Sequence, residues 1–417
     1  MKQLDASHFK LVVNPVGDHK LDTVVINTCG FIGDAKQESI DTILRFVHAK
    51  RTGMIDHLFV MGCLSERYKD QLNQEIPEVD DYFGVNELKD IVKRVGGKFH
   101  TQLVGERILT TPPHYAYLKI AEGCDRKCSF CSIPLIRGKH VSRHFEDIVK
   151  EAGYLVNQGV KEINLISQDT TYYGLDLNHR RQLPDLLKAI SGIEGLEWLR
   201  LHYTYPDGFP LEILNVMKER SNICKYIDIP LQHINSGILK SMRRGIDKEG
   251  TIELINKIRE MAPGIAIRTT LIAGYPGETN KIFNELKQFV QKMRFERLGV
   301  FAYSHEEDTS AFDLKDSVTP GLKQSRVEEL MAIQEDISYD LNQDKIGKIM
   351  KVIIDHKEDE FYIGRTEFDS PEIDNEVLIK TKGNHLITGN FYQVKIVSND
   401  SFDLFGEIQD QTDNSFR

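Results

Sequence analysis

The sequence predicts an α/β protein in three parts: an N-terminal open α/β domain over 1–112, a central partial (β/α)6 barrel over 113–345 and a small C-terminal β-barrel over 346–417. Three observations carry this. β-branched runs alternate with amphipathic stretches along most of the chain, which is the pattern of parallel sheets built from strand–helix–strand units. The alternation is interrupted at Thr110-Thr111-Pro112-Pro113 and gives way after about residue 347 to short strands separated by polar turns. Finally, 417 residues with 40% apolar and 28% charged side chains are enough for more than one core.

In the first part, residues 22–27 read D-T-V-V-I-N, a buried strand that stops at Thr28-Cys29-Gly30. A helix follows from about Asp34, with Ile40, Ile43, Leu44 and Val47 on one face. Residues 57–61, H-L-F-V-M, repeat the design and end in Gly62-Cys63 before another helix. Cys29 and Cys63 are therefore expected just past the carboxyl ends of consecutive strands, where open α/β sheets bind their ligands. Two unconnected core thiols are the alternative, because cysteine is often simply buried. Their matching positions favour a shared site.

In the second part, strands are expected at 117–121, 162–167, 196–203, 226–229, 265–272 and 298–303, with helices between them. The helix after Phe145 shows the logic: Ile148, Val149, Ala152, Leu155 and Val156 recur at helical spacing, and Gly159 marks its end. Six such units predict three quarters of an eight-stranded barrel, with the active site at the carboxyl ends of the strands. The stretch 121–131, A-E-G-C-D-R-K-C-S-F-C, follows the first strand and spaces Cys124, Cys128 and Cys131 as C-x3-C-x2-C. A zinc site usually closes four ligands around its ion, and half of such a site is the competing reading. Three cysteines on a 4Fe–4S cube leave one iron open, and an open iron implies chemistry.

Other polar turns follow the later strands. Ser167-Gln168-Asp169-Thr170-Thr171 ends the second, Asp228-Ile229-Pro230-Leu231-Gln232-His233 the fourth, and the fifth, beginning at Arg268, runs into Gly274-Tyr275-Pro276-Gly277-Glu278. The hydroxyl, amide and carboxylate groups of the first suit a ribose or an amino acid, and the glycines of the last suit backbone approach to an adenine; turn chemistry alone explains them equally well. His233 has no second ligand set beside it and is expected to be a hydrogen-bonded structural histidine. Pro134-Leu135-Ile136-Arg137-Gly138 and Ser142-Arg143 read on their own as a basic surface turn.

The third part begins after a helix over 321–341 whose apolar side is Val327, Leu330, Ile333 and Ile337. Strands at 350–354, 361–365, 376–379, 391–397 and near Leu404 predict the small barrel. From residue 347 onward fourteen acids, Asp410 and Asp413 among them, face eight bases including Arg417, within a chain of net charge −10. So acidic a module repels nucleic acid and favours a basic partner. No apolar run reaches the length of a membrane span and no signal segment follows Met1, so a cytoplasmic protein without membrane contact is expected. Cysteines at cluster spacing agree, since thiolates that hold metal must stay reduced.

Taken in order, N-T-C at 27–29, G-C at 62–63, C-x3-C-x2-C with Phe130 before its last cysteine, P-x-x-R-G, S-R, P-L-Q-H at 230–233, G-Y-P-G-E at 274–278, Tyr303-Ser304 and the terminal barrel resemble the radical S-adenosylmethionine (SAM) methylthiotransferases over nearly the whole chain. The resemblance implies a 4Fe–4S cluster on Cys124, Cys128 and Cys131 whose open iron chelates SAM, with Phe130, Ser167, Gln168, Arg268, Gly274 and Tyr275 on the SAM side. It implies radical cleavage of SAM, a second SAM as methyl donor, and a TRAM domain as the terminal barrel. It also implies an auxiliary 4Fe–4S cluster on three cysteines of the first domain. Cys29 and Cys63 match two of them; the family's first cysteine would precede Met1, which points to a sequence shortened at its start or a misplaced start, and if the chain does begin there the second cluster is expected to be absent or labile. Residues 364–374, G-R-T-E-F-D-S-P-E-I-D, and 303–309, Y-S-H-E-E-D-T with Asp308 where glycine is usual, are similar to the branch that modifies the β-carbon of an aspartate in ribosomal protein uS12. That branch implies uS12 or the small ribosomal subunit as partner, met through Arg365, Glu372 and Asp374, and a reductant such as flavodoxin or ferredoxin. A tRNA methylthiotransferase is the alternative, and a non-catalytic cluster protein binding nucleic acid is a third.

Overall fold

The computed structural model describes residues 1–14, 20–100, 106–383 and 385–409. Asp410, Asp413 and Arg417, counted above in the barrel's charge, lie outside these residues. The chain packs as two compact units: Met1–Thr110 with Gly123–His140 and Ser304–Asp313, and Thr111–Glu122 with Val141–Tyr303 and Leu314–Arg417. The cysteine loop thus packs with the N-terminal residues, although it is inserted between two strands of the second unit. No helix among the described residues is long and apolar enough to cross a membrane.

In the first unit, strands β1 (Leu21–Thr28), β2 (Ile55–Gly62) and β3 (Asp81–Phe83) form a parallel sheet in that order. Alternate residues of β1 are buried, whereas Leu58, Phe59 and Val60 of the central β2 are buried in succession, as a strand covered on both faces requires. The helix Gly33–Arg51 lays Ile43 and Val47 into the core, and Lys50 and Arg51 complement the dipole at its end. Segment Ser304–Asp313 is fastened by the buried Glu306, which accepts hydrogen bonds from Lys36 Nζ at 2.8 Å and Ser304 Oγ at 2.6 Å. Burial pushes this carboxyl up, but the Lys36 and Ser304 bonds outweigh it and hold it below the usual range. Asp308 sits at φ 61°, a left-handed turn that glycine favours and aspartate tolerates, which accounts for the substitution seen in the motif.

The second unit contains β4 (Tyr115–Lys119), the two-residue β5 (Ala121–Glu122) and β6 (Val141–Ser142), then β7 (Glu162–Ile166), β8 (Trp198–Leu201), β9 (Ile223–Asp228), β10 (Ala266–Ala273) and β11 (Arg297–Ala302). Six of these form one parallel sheet in the order β11-β10-β9-β8-β7-β4, the expected six-stranded partial barrel. The first strand ends two residues earlier than 117–121 predicts. Ala121 and Glu122 pair antiparallel with Val141 and Ser142 instead, because an eighteen-residue insertion, 123–140, needs its two ends side by side. Helices such as Phe145–Asn157 and Asn280–Met293 return the chain between strands, and Asn235, Asp247, Thr279 and Thr319 cap helix N-termini through their side chains.

After the helix Pro320–Gln343, strands β12 (Ile349–Glu358), β13 (Phe361–Thr366), β14 (Val377–Lys380), β15 (Phe391–Asn399) and β16 (Leu404–Ile408) close into a barrel around Val352, Ile354, Val377, Ile379, Val394 and Ile396. A buried ionic network joins it to the parallel sheet. Glu162, at the start of β7, accepts from Arg200 Nε at 2.9 Å and Arg365 Nη2 at 2.8 Å; Arg365 Nε also reaches Asp355 at 2.6 Å, and Asp355 meets His114 Nε2 at 2.8 Å. Arg297 pairs with Asp369, and Tyr226 donates its hydroxyl to Asp374 at 2.7 Å. Burial pushes the carboxyls of Glu162, Asp355 and Asp369 up, yet their partners hold all three below the usual range.

This network bears on two expectations. Arg365 is only 2% exposed and Asp374 is bonded to Tyr226 and Arg268, so neither side chain is offered to a partner. Glu372 is exposed, but its carboxylate accepts the Tyr115 hydroxyl at 2.6 Å. The charge excess is also largely internal. Among the described residues from 347 on, the exposed carboxylates are Glu358, Asp359, Glu360, Glu372, Asp400 and Glu407, and six exposed lysines balance them. The remaining described acids lie buried or half-buried.

Candidate active site

In the first unit the sheet brings Cys29 and Cys63 to one edge. β1 and β2 are in register at Thr28 and Gly62, so the next residue of each strand is a cysteine. Two glycines allow the close approach: a Cβ on Gly62, whose φ is 109°, would lie 2.5 Å from Thr28 O, and one on Gly30 would lie 2.7 Å from Leu64 N. Cys29 is exposed, with its N–H donating to Ser39 Oγ at 3.0 Å, while Cys63 is buried at the start of the helix Cys63–Glu75.

The loop carrying Cys124, Cys128 and Cys131 belongs to the same unit. All three are half-buried, as is Phe130. Cys131 N–H donates to Cys128 O at 3.2 Å in a tight turn, and Cys124 N–H donates to Gly138 O at 3.1 Å, closing the loop at its base. Gly123, at φ 75°, is obligatory, because a Cβ there would overlap the Lys139 carbonyl. No three His, Cys, Asp or Glu side chains among the described residues are gathered closely enough to share one ion. A cubane asks for something different, each cysteine taking its own iron, and three half-buried thiols on a short closed loop meet that demand in number and type.

In the second unit, unpartnered polar atoms gather along β7 and the turns after β7 and β9. Asn164 in β7 is fully buried with neither its Nδ2 nor its Oδ1 bonded, and Ser167 Oγ, Gln168 Oε1 and Gln232 Oε1 are likewise without partners. Leaving buried polar groups unsatisfied costs about 1–3 kcal/mol each, so this lining is built for a polar ligand. Gln168 Nε2 and Lys119 Nζ both donate to Glu122, at 3.1 and 2.7 Å. Tyr203 and Gln232 adopt φ of 54° and 72° just past β8 and β9, a strained backbone of the kind that collects at functional sites.

The pattern of the Radical SAM superfamily matches residues 118–290, that of the TRAM domain residues 346–408, and an uncharacterised family, UPF0004, residues 1–84. The ribosomal protein uS12 methylthiotransferase RimO of Cytophaga hutchinsonii is 57% identical over 93% of this chain and 89% of its own length. This chain belongs to the RimO family. The RimO proteins of Flavobacterium johnsoniae and Bacteroides fragilis, each 54% identical over 98% of this chain, cover 93% and 94% of their own lengths. The radical SAM methyltransferase TsrM of Kitasatospora setae shares the fold, with a TM-score of 0.52 at 15% identity over 67% of this chain and 63% of its own. RimO membership makes the chain a radical SAM methylthiotransferase, with an iron–sulfur cluster and SAM as its cofactors.

Placed in a RimO-family fold, the expected SAM-side residues divide. Ser167 and Gln168 have unbonded polar atoms, but three others are committed to the protein itself. Arg268 is paired with Asp228 at 3.1 Å and Asp374 at 3.4 Å. Tyr275 is buried, its hydroxyl on Ser241 at 3.2 Å and its ring edge-on to Tyr303. Gly274, at φ 80°, has no room for a Cβ, which would lie 2.3 Å from Lys323 Cγ. His233 is the structural histidine expected: fully buried, its Nδ1 accepts from the N–H groups of Ile234 and Asn235 and its Nε2 meets Glu278 at 3.1 Å. Cys224 is buried near the start of β9, and burial pushes its thiol up to about 12. The sequence reading missed Asn164, which looks like any polar residue in a strand, and the role of Arg137, whose Nη2 donates to Cys63 Sγ at 3.1 Å.

Proposed function

We propose that this chain adds a methylthio group to the β-carbon of an aspartate in ribosomal protein uS12, in free protein or in the small ribosomal subunit. The observation that carries the reading is the 57% identity to a uS12 methylthiotransferase over 93% of the chain. Cys124, Cys128 and Cys131, all half-buried, would hold the SAM-cleaving cluster, with Phe130 just before the last of them. When both are bound, the reduced cluster would give one electron to SAM, which splits into methionine and a 5′-deoxyadenosyl radical able to take hydrogen from an unactivated carbon, a step beyond any acid–base side chain. Ser167, Gln168 and Asn164 offer a hydroxyl and two amides to the polar parts of SAM. Cys29 and Cys63 offer two of the three ligands of a second, sulfur-side cluster, and no third His, Cys, Asp or Glu among the described residues joins them, so this cluster is absent or labile in the chain as it stands. Electrons come from a small redox protein such as flavodoxin or ferredoxin, in a reducing, cytoplasmic compartment. Mass spectrometry of uS12 and of tRNA nucleosides from a deletion strain tests the reading: methylthiolation is expected to vanish from uS12 and persist in tRNA. Loss from tRNA with uS12 unchanged would assign the chain to the nucleic-acid branch.

A further inference from the structure

The chain as a whole carries a net charge of −10, yet the loop 123–140 sets Arg126, Lys127, Arg137 and Lys139 against the single carboxylate of Asp125. Two of these cations are free. Lys127, between Cys124 and Cys128, and Lys139, where the loop returns, are both exposed, and no carboxylate among the described residues pairs with either. Closure of the loop brings both to the same cysteine. Gly138 O accepts Cys124 N–H at 3.1 Å, and the Lys139 carbonyl lies where a Cβ on Gly123 would fall. Asp125 Oδ1 accepts His140 N–H at 2.9 Å, which turns the one acid of the loop toward its own backbone. Leu135, on the short helix Ile133–Arg137 that follows the last cysteine, is 55% exposed. Unpaired lysines and an exposed apolar side chain, on the loop that carries three half-buried thiols, have the composition of a transient docking surface.

We propose that this loop docks a small acidic protein that donates one electron, with Lys127 and Lys139 meeting its carboxylates and Leu135 supplying apolar contact. The electron must pass from the donor's own cofactor to the cluster on Cys124, Cys128 and Cys131. Electron transfer slows steeply with distance, so the donor has to sit on the surface that covers these thiols. An acidic donor is repelled by the net charge of the chain and drawn to a place where cations outnumber acids, so the field itself guides it to the loop. The step moves one electron from donor to cluster, and no bond forms or breaks. Such encounters bury little area and exchange quickly, which makes a few exposed side chains enough to direct them. A basic protein would be repelled by the same lysines.

This inference rests on the reading of the three loop cysteines as cluster ligands. The test uses the full chain, reconstituted anaerobically, with reduced flavodoxin as the donor, and compares wild type with the double variant Lys127→Glu, Lys139→Glu. Affinity for flavodoxin, read from flavin fluorescence, should fall about tenfold at low salt, and the difference should shrink as salt screens it. Flavodoxin-driven formation of 5′-deoxyadenosine should slow in parallel, whereas formation driven by excess dithionite should match wild type. Leu135→Ser should weaken flavodoxin binding at high salt as well as low. The double variant Lys89→Glu, Lys93→Glu changes two exposed lysines of the helix Leu88–Arg94 and alters net charge equally; it should bind flavodoxin as wild type does. Wild-type affinity in the loop variant, or an equal loss in the helix variant, would overturn the docking surface. So would a loss of dithionite-driven cleavage matching the flavodoxin-driven loss, or a changed KM for uS12 with flavodoxin unaffected. A wild-type chain that makes no 5′-deoxyadenosine with dithionite would instead sink the cluster reading beneath it.

Discussion

The loop 123–140 and the segment 364–374 are both dense in motif residues, and the fold uses them in opposite ways. The loop leaves its three thiols half-buried. The segment is sunk into the second unit, where Arg365 and Asp369 are bonded to partners contributed by the parallel sheet. A branch-specific motif thus turned out to be a joint between two barrels. The difference teaches that a dense run of motif residues does not by itself mark chemistry, because charges that are all paired inside the fold act as a joint. Buried ion pairs are retained when every charge has a partner, and they then say more about which elements must meet than about what they bind.

The sharpest way to separate the two regions is to remove one residue from each. Cys128→Ala should abolish 5′-deoxyadenosine formation from SAM while leaving the urea midpoint nearly unchanged. Undiminished SAM cleavage would take the loop out of the chemistry. Arg365→Met should do the reverse: it strands Glu162 and Asp355 without their cation, which for a broken buried pair costs about 3–5 kcal/mol and should appear as a lower urea midpoint. Full stability combined with lost uS12 binding would return the segment to the role of a recognition surface.

Acid titrates the same joint. Glu162, Asp355 and Asp369 have folded-state carboxyls below their ordinary range, so their stabilisation is complete above the ordinary carboxylate pKa and is lost as pH falls through the depressed values. The unfolding midpoint should hold steady from neutrality to about pH 5 and drop below about pH 4. Arg365→Met should flatten that drop. The smallest effect is expected at the exposed pair Lys351–Glu197, 2.8 Å apart: Lys351→Ala should cost less than about 1 kcal/mol and fade with salt. A large loss there would mean that solvent-exposed contacts share the work of the buried joint.

What the sequence determined by itself was local. The alternation of β-branched and amphipathic stretches encodes six parallel strands and five barrel strands, because periodicity follows from the geometry of a single element. Cys29 and Cys63 after consecutive strands, and His233 as a structural histidine, were legible for the same reason. Tertiary structure decided which residues are satisfied by one another. Arg365 lies 203 residues from Glu162, and Arg137 lies 74 from Cys63. No periodicity spans such separations; only packing shows that the first pair is spent on joining two barrels, while the second joins a loop of cysteines to a sulfur of the N-terminal sheet.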